Sequence, residues 1–270
     1  MAESRLIDGT PAPATVDTLV RDLRDLGVEQ GDVLVVHTSL GSLGWVVGGA
    51  AAVVDALLNA VGPTGTVTMP AHSADWSDPA GWANPPVPRA WWSTIVDSRP
   101  AFDPYATPLR GMGAVADNLL LRRNTLRSSH PLYSHMACGA QAGLVVQSHP
   151  LDDGFGDGSP LGRLYELDAK VVLLGVGHGS NTSLHLAESR AVWPGKVAVQ
   201  QRSTVMVDGV PTVVTWSAHE PDGDDFDRVG EVLDSAGLVG FGTVAQAHCR
   251  LARQRAIVDA SVPWFEANRG

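Results

Sequence analysis

Cysteine is almost absent from this 270-residue chain. The two present, Cys138 and Cys249, form no CxxC and have no metal-ligand spacing. That leaves no cysteine-built metal site and reads as two reduced, buried thiols of a cytoplasmic protein. Positive charge is also scarce: 19 Lys and Arg stand against 29 Asp and Glu, giving a net charge of −10 and a pI near 5.2. Such a surface repels phosphate backbones and anionic membranes and favours cationic ligands, so no nucleic-acid partner is expected. No apolar stretch approaches the roughly 18 residues of a membrane span. The start, "MAESRLIDGT", lacks a basic segment followed by an apolar one, so neither a membrane anchor nor a signal peptide is expected. Internal repeats and low-complexity tracts are missing as well. What remains is 44% hydrophobic and 18% charged, the composition of a globular α/β protein and not of a disordered chain.

The pattern along the chain agrees. "TVDTLVRDLRDLG" (15–27) carries Val16, Leu19, Leu23 and Leu26 at helical spacing, with Thr15 as N-cap and Gly27 as stop. "DVLVVHTS" (32–39) predicts a buried strand, 48–62 a helix and 65–70 a second strand. Helices alternating with apolar strands argue for an α/β domain. From 71 to 111 the chain becomes rich in Pro, Trp and Asp, which predicts an ordered excursion with a short helix near 90–98 beside a site. Helix is predicted again over 111–122 and a central strand over 170–176. Beyond 196 the pattern turns antiparallel: Asp208-Gly209 between two β-rich runs is a hairpin signal. "DDFDRVGEVLDSAG" predicts a helix, and "FGTVAQAHCR" one strand running into a last helix. The expectation is one domain spanning 1–270, built as a mixed central sheet with flanking helices, an antiparallel C-terminal part, and the site between two interleaved lobes.

Three stretches hold chemistry-bearing residues. In "HGSNTSLHLAE" (178–188), a helix beginning near Asn181 or Thr182 sets Thr182, His185 and Glu188 on one stripe, just after a strand, where α/β proteins bind ligands. A carboxylate beside an imidazole fixes its tautomer and stabilises the imidazolium formed on taking a proton: a general base with its orienter. On spacing alone, a satisfied structural histidine beside a solvated glutamate remains the alternative. A metal centre is disfavoured, because HExxH is absent and no further ligands are supplied. "GVGHGS" is a poor dinucleotide fingerprint, and no GxSxG elbow occurs. "HTSLGSLGWVVGG" (37–49) interleaves Gly and Ser between strand and helix, which exposes backbone amides of the kind that cradle phosphates or, equally, makes a tight turn. Acidic loops recur at Asp75 and Asp78, at Asp152, Asp153 and Asp157, and at Glu220, Asp222, Asp224 and Asp225. Converging on one cleft they would suit a polycationic ligand; apart, they are solvated faces.

"HTSLGSLGWVVGG", "NPPVPRAWW", "AFDPYATPLRGMGAVAD", "RSSHPLYSHMACG" and "DGSPLGRLYELDAKVVLLGVGHGSNTSLHLAE", in this order, resemble the aminoglycoside 3-N-acetyltransferase (antibiotic N-acetyltransferase) family over roughly residues 15–265. That family is distinct from the more common GCN5-related acetyltransferase fold. The resemblance implies acetyl-CoA as donor, an aminoglycoside amine as acceptor, commonly the 3-amine of the 2-deoxystreptamine ring, and antibiotic resistance as the outcome. It implies His185 as general base, Glu188 as its orienter, and Thr182 or the amides of the helix start as donors to the developing oxyanion. It implies a donor groove of Thr38, Ser39, Leu40, Ser42, Leu43, Gly44, His72, Ser73, Thr107, Arg110, Gly111, Met112 and Gly113. The acceptor pocket would draw on Asp75, Asp153, Asp157, Glu220, Asp224 and Asp225. No metal is implied, and the expected partners are the two small molecules, with the chain a monomer or homodimer. The competing functions are acetyl transfer to some other amine, such as a biosynthetic intermediate, and a CoA-binding protein without turnover.

Overall fold

The computed structural model describes residues 2–270. A short helix, α1 (Ala2–Asp8), precedes α2 (Val16–Leu26), whose ends follow the sequence signals. The Thr15 hydroxyl accepts from the Thr18 amide, and Thr18 Oγ1 accepts from the Thr15 amide at 2.8 Å. Gly27 closes the helix at φ 112°, a left-handed position that a side chain resists. Then follow β1 (Val33–Thr38), α3 (Gly49–Val61), β2 (Thr66–Pro70), α4 (Trp92–Ser98), α5 (Ala114–Leu120), β3 (Leu126–Arg127), β4 (His135–Gly139), α6 (Ala142–Val146) and α7 (Pro160–Glu166). The second half holds β5 (Lys170–Leu174), α8 (Ser183–Arg190), β6 (Ala198–Val207), β7 (Val210–His219), α9 (Phe226–Ser235), β8 (Val239–Val244), β9 (Ala247–Arg253) and α10 (Gln254–Asn268).

Seven strands form one mixed sheet in the order β3-β4-β2-β1-β5-β9-β8. β2, β1 and β5 run parallel, while β4 and β3 on one flank and β9 and β8 on the other pair antiparallel. Every residue of β2 and β5 is buried, as a parallel strand covered on both faces requires. One apolar layer packs Leu19, Leu57, Val115 and Leu119 of α2, α3 and α5 against the sheet; the other packs Leu164, Leu186, Phe226 and Phe265 of α7 to α10. Each fully buried side chain of this size contributes on the order of 1.5–3 kcal/mol.

Several elements depart from expectation. Residues 239–253 form two strands, not one, joined at Ala245 (φ 49°) and Gln246. The antiparallel character is not confined to the C-terminal part either: β3 and β4 supply it at the opposite edge, and their short, polar-interrupted sequences carry no clear alternation. Helix α5 begins at 114, not 111, since Gly111 and Gly113 sit at φ 74° and 86°, outside helical geometry. The Asp208-Gly209 hairpin forms as expected, both turn residues at positive φ, but β6 and β7 make a separate two-stranded sheet. That sheet leans on the 71–102 excursion: the Ser203 hydroxyl donates to the Trp76 carbonyl at 2.8 Å and the Phe102 amide to the Thr204 carbonyl at 2.8 Å. Among the described residues, no helix is long and apolar enough to cross a membrane.

This topology positions the site. β1 lies between its parallel partners β2 and β5, and the helices that lead to them, α3 and α7, lie in opposite layers. Strand order therefore reverses at β1, and the crevice beyond the strand ends at Thr38, Pro70 and Leu174 is the place where such sheets bind ligands.

Candidate active site

Helix α8 starts at that crevice. The Asn181 side-chain oxygen accepts the Ser183 amide at 3.1 Å and its carbonyl accepts the Leu184 amide, while the Thr182 carbonyl accepts the His185 amide. One turn on, His185 Nδ1 donates to Glu188 Oε2 at 2.7 Å. A carboxylate on Nδ1 leaves the lone pair of the neutral imidazole on Nε2, the tautomer a general base needs. The ring is fixed on both sides, stacked on Phe155 at 4.5 Å and met edge-on by Phe226 at 4.6 Å.

Glu188 is not solvated: its side chain is 1% exposed. Its second oxygen, Oε1, accepts the Asp222 amide at 2.9 Å and Arg269 Nη1 at 2.5 Å, and His219 Nε2 stands 3.3 Å away, off the angle for a hydrogen bond. Burial opposes ionisation here, but His185 and the Asp222 amide outweigh it and hold the carboxyl well below its ordinary range. Arg269 also binds Asp225, and this pairing raises the guanidinium pKa against its own desolvation. The carboxylate therefore stays charged and immobile.

His185 stands between two openings. On one side a cavity of about 300 Å³ is lined by Thr38, Met69, His72, Gly111, Met112, Gly179 and Thr182. On the other a narrow crevice is lined by Asp152, Asp153, Phe155, Glu188 and His219. The crevice shares His219 and Pro221 with an open cleft of about 510 Å³ that holds Trp193, Glu220, Asp222 and Arg269. One wall of the 300 Å³ cavity is pinned: the Gly179 amide donates to Asp227 at 2.7 Å, and the adjoining His178 Nε2 lies 3.0 Å from Asp234.

The structure gathers some of the expected site residues here and scatters others. Thr38, His72, Gly111 and Met112 line the cavity. Ser42 Oγ lies 2.9 Å from Ser39 Oγ and 3.1 Å from the Gly175 carbonyl, tying the loop after β1 to the loop after β5. Leu40 and Gly44 face a separate cleft of about 480 Å³, and Leu43 is core. Ser73 and Thr107 are buried scaffold: Arg127 donates to Ser73 Oγ and the Thr107 carbonyl, both at 2.6 Å. Gly113 sits at the turn that ends the Gly111–Gly113 bend. Arg110 faces Asp75 at 3.7 Å, and both line another cavity, of about 350 Å³, away from His185. Among the acids, Asp153 reaches the crevice and Glu220 the outer cleft. Asp157 is held by Arg190 at 2.7 Å and Asp225 by Arg269, while Asp224 is exposed; none of the three lines either opening.

Several neighbours of His185 carry no local sequence signal. His37, on β1, places Nε2 3.3 Å from Thr182 Oγ1 across a separation of 145 residues. Burial pushes its pKa down to about 3, so the ring is neutral. Thr182 thus turns to His37, although it shares the stripe of His185. Arg269, His219 and Phe155 likewise arrive only through the fold. Asp152 stood among the acidic runs, but nothing in its spacing separated it from Asp157.

With this geometry in hand, likeness to known proteins is informative. The model of the family described as aminoglycoside 3-N-acetyltransferase matches residues 35–266. The chain is 37% identical over 265 residues to the SPbeta prophage-derived aminoglycoside N(3')-acetyltransferase-like protein YokD of Bacillus subtilis (strain 168), covering 98% of this chain and 97% of that one. It is 35% identical to aminoglycoside N(3)-acetyltransferase VIII of Streptomyces fradiae, covering 100% and 98%. The crystal structure of YokD superposes with a TM-score of 0.96 at 36% identity and 98% coverage of both chains. Two further structures are AAC-VIa bound to sisomicin (TM-score 0.85, 32% identity, 95% and 98% covered) and AAC-IIIb binary with CoASH (0.84, 31%, 95% and 97%). Matches this long, together with one fold throughout, establish that the chain belongs to the aminoglycoside 3-N-acetyltransferase family.

Proposed function

We propose that the protein transfers the acetyl group of acetyl-CoA directly to an amine of an aminoglycoside, the 3-amine of the 2-deoxystreptamine ring, and so confers resistance. The observation that carries this reading is the place of His185: its ring divides the 300 Å³ cavity from the acidic crevice, with Nδ1 occupied by Glu188. One relative's structure is binary with CoASH and another's is bound to sisomicin, which supports a CoA thioester and a cationic aminoglycoside as the two substrates.

The residues fit both molecules. Met69, Pro70, Met112 and Val176 give the cavity apolar walls for a slender thioester arm, and Gly111 and Gly179 let it approach backbone. Asp152 and Asp153 in the crevice, with Glu220 and Asp222 outside it, draw in a polycation whose reacting amine enters the narrow part. His185 Nε2 takes a proton from that amine as its nitrogen forms a bond to the acetyl carbon. The carbon–sulfur bond breaks, and the sulfur leaves as thiolate to be protonated. Glu188 stabilises the imidazolium meanwhile. The amides of Ser183, Leu184 and His185 are already committed, so the Thr182 hydroxyl, beside the amide of the same residue, is a donor for charge growing on the thioester oxygen. It is free for that role when His37 Nε2–H donates to it.

The test is thiol release from acetyl-CoA with and without gentamicin, kanamycin and apramycin. Aminoglycoside-dependent release, with the product acetylated at the 3-amine, is expected. No release with any of them, but release with another amine, would replace the acceptor; no release at all would remove the enzyme reading.

A further inference from the structure

Two buried histidines lie behind the acidic crevice and take no part in the chemistry above. Residues 151–155, which supply Asp152, Asp153 and Phe155 to that crevice, belong to no helix or strand. Their backbone hangs from two imidazoles. His149 Nε2 lies 2.8 Å from the Gly154 carbonyl, and His130 Nε2 lies 3.3 Å from the Leu151 carbonyl. Carbonyls only accept, so both rings carry their proton on Nε2. The other nitrogens agree. His130 Nδ1 accepts the amides of Leu132 and Tyr133, each at 3.1 Å. His149 Nδ1 accepts the Ser128 hydroxyl at 2.8 Å, and Ser128 Oγ in turn accepts the His135 amide at 2.9 Å.

Each donor in this hydrogen-bonded series meets an acceptor, and the two amides on His130 Nδ1 require that ring to be neutral. A proton added to His130 Nδ1 would face two amide donors. The rings pack on each other at 4.7 Å, with Tyr133 stacked on His130 at 5.1 Å. Burial accordingly lowers His130 to about 4 and His149 well below its usual value. A solvated pair would not keep such fixed tautomers.

Resting on the function proposed above, we infer that His130 and His149 are positioning residues that hold the 151–155 loop against His185, and so set affinity for the cationic acceptor without touching it. His149→Leu keeps the volume roughly but removes the donor to Gly154. His149→Gln returns an N–H near the position of Nε2. Losing one buried donor on this loop corresponds to a change on the order of 10-fold. The Leu variant is expected to raise the aminoglycoside KM by about that factor, with the acetyl-CoA KM within about twofold. The Gln variant is expected to recover most of the loss. Hydrogen exchange of the 152–158 amides should quicken in the Leu variant and not in the Gln variant.

Equal rises in both KM values, or unchanged loop exchange, would overturn the inference. Should the wild-type chain acetylate no aminoglycoside, the proposed function fails, and the exchange measurement still decides the clamp by itself. Should His149→Leu not fold, Ser128→Ala, which removes the hydroxyl that fixes the His149 tautomer, is expected to shift the same two readouts by about threefold; no shift overturns the clamp.

Discussion

Replacing Glu188 by Gln changes no volume, yet the structure dictates a large effect. Oε1 faces two donors, the Asp222 amide and Arg269, and Oε2 faces one, His185 Nδ1. In the amide the oxygen must stay with the two donors, since an NH₂ group there would meet both head-on. The NH₂ then points at His185 Nδ1, which can only accept, so the imidazole proton moves to Nε2. That is the nitrogen the incoming amine needs as base. The variant loses the base by tautomer as well as the charge that stabilises the imidazolium, and kcat is expected to fall by about 10²–10⁴. That corresponds to roughly 3–5 kcal/mol of barrier. The fold should hold, because packing is unchanged and Asp225 still pairs Arg269. The assay is thiol release under saturating acetyl-CoA and aminoglycoside, beside a thermal melt. A drop of less than about threefold with an unchanged melt would refute the tautomer argument.

Other expectations follow from the same geometry. His185→Ala should also lose about 10²–10⁴ in turnover, and combining it with Glu188→Gln should add little, because the two act as one unit; multiplicative losses would separate them. The aminoglycoside KM should rise by roughly 3-fold between ~0.05 and ~0.5 M salt as the acids of the crevice are screened, whereas a flat profile would deny them a role. His37, His130 and His135 have folded pKa values lowered to about 3, 4 and 3 by burial. Between pH 6.5 and 4 the unfolded chain therefore binds more protons than the folded one. Stability is then present at neutral pH and lost as pH falls, by about 1 kcal/mol per ring at pH 5.5. Melts from pH 7 to 5 check this, and a constant Tm would show that the rings are not buried neutral.

The elements legible beforehand were those with strong local causes. Thr15 and Gly27 bracket α2, apolar runs marked β1, β2 and β5, and Asp208-Gly209 turned the hairpin. The elements missed, β3, β4 and the break at Ala245 and Gln246, are short or polar and exist because a neighbouring strand pairs them. The acidic runs read alike in sequence, yet Arg190 and Arg269 occupy Asp157 and Asp225 and leave Asp152 and Asp153 facing the crevice.

Within "TSLHLAE" the place of His185 and Glu188 on one helix face was set by sequence alone, because helix geometry carries residues three apart to one face whatever surrounds them. What that pair can do was decided in three dimensions. Arg269 and the Asp222 amide make Glu188 a buried anion, His37 claims Thr182, Phe155 and Phe226 fix the ring, and two imidazoles hang the acidic loop beside it. These partners lie tens to hundreds of residues away, and only the closing of sheet and helices brings their atoms within hydrogen-bond range.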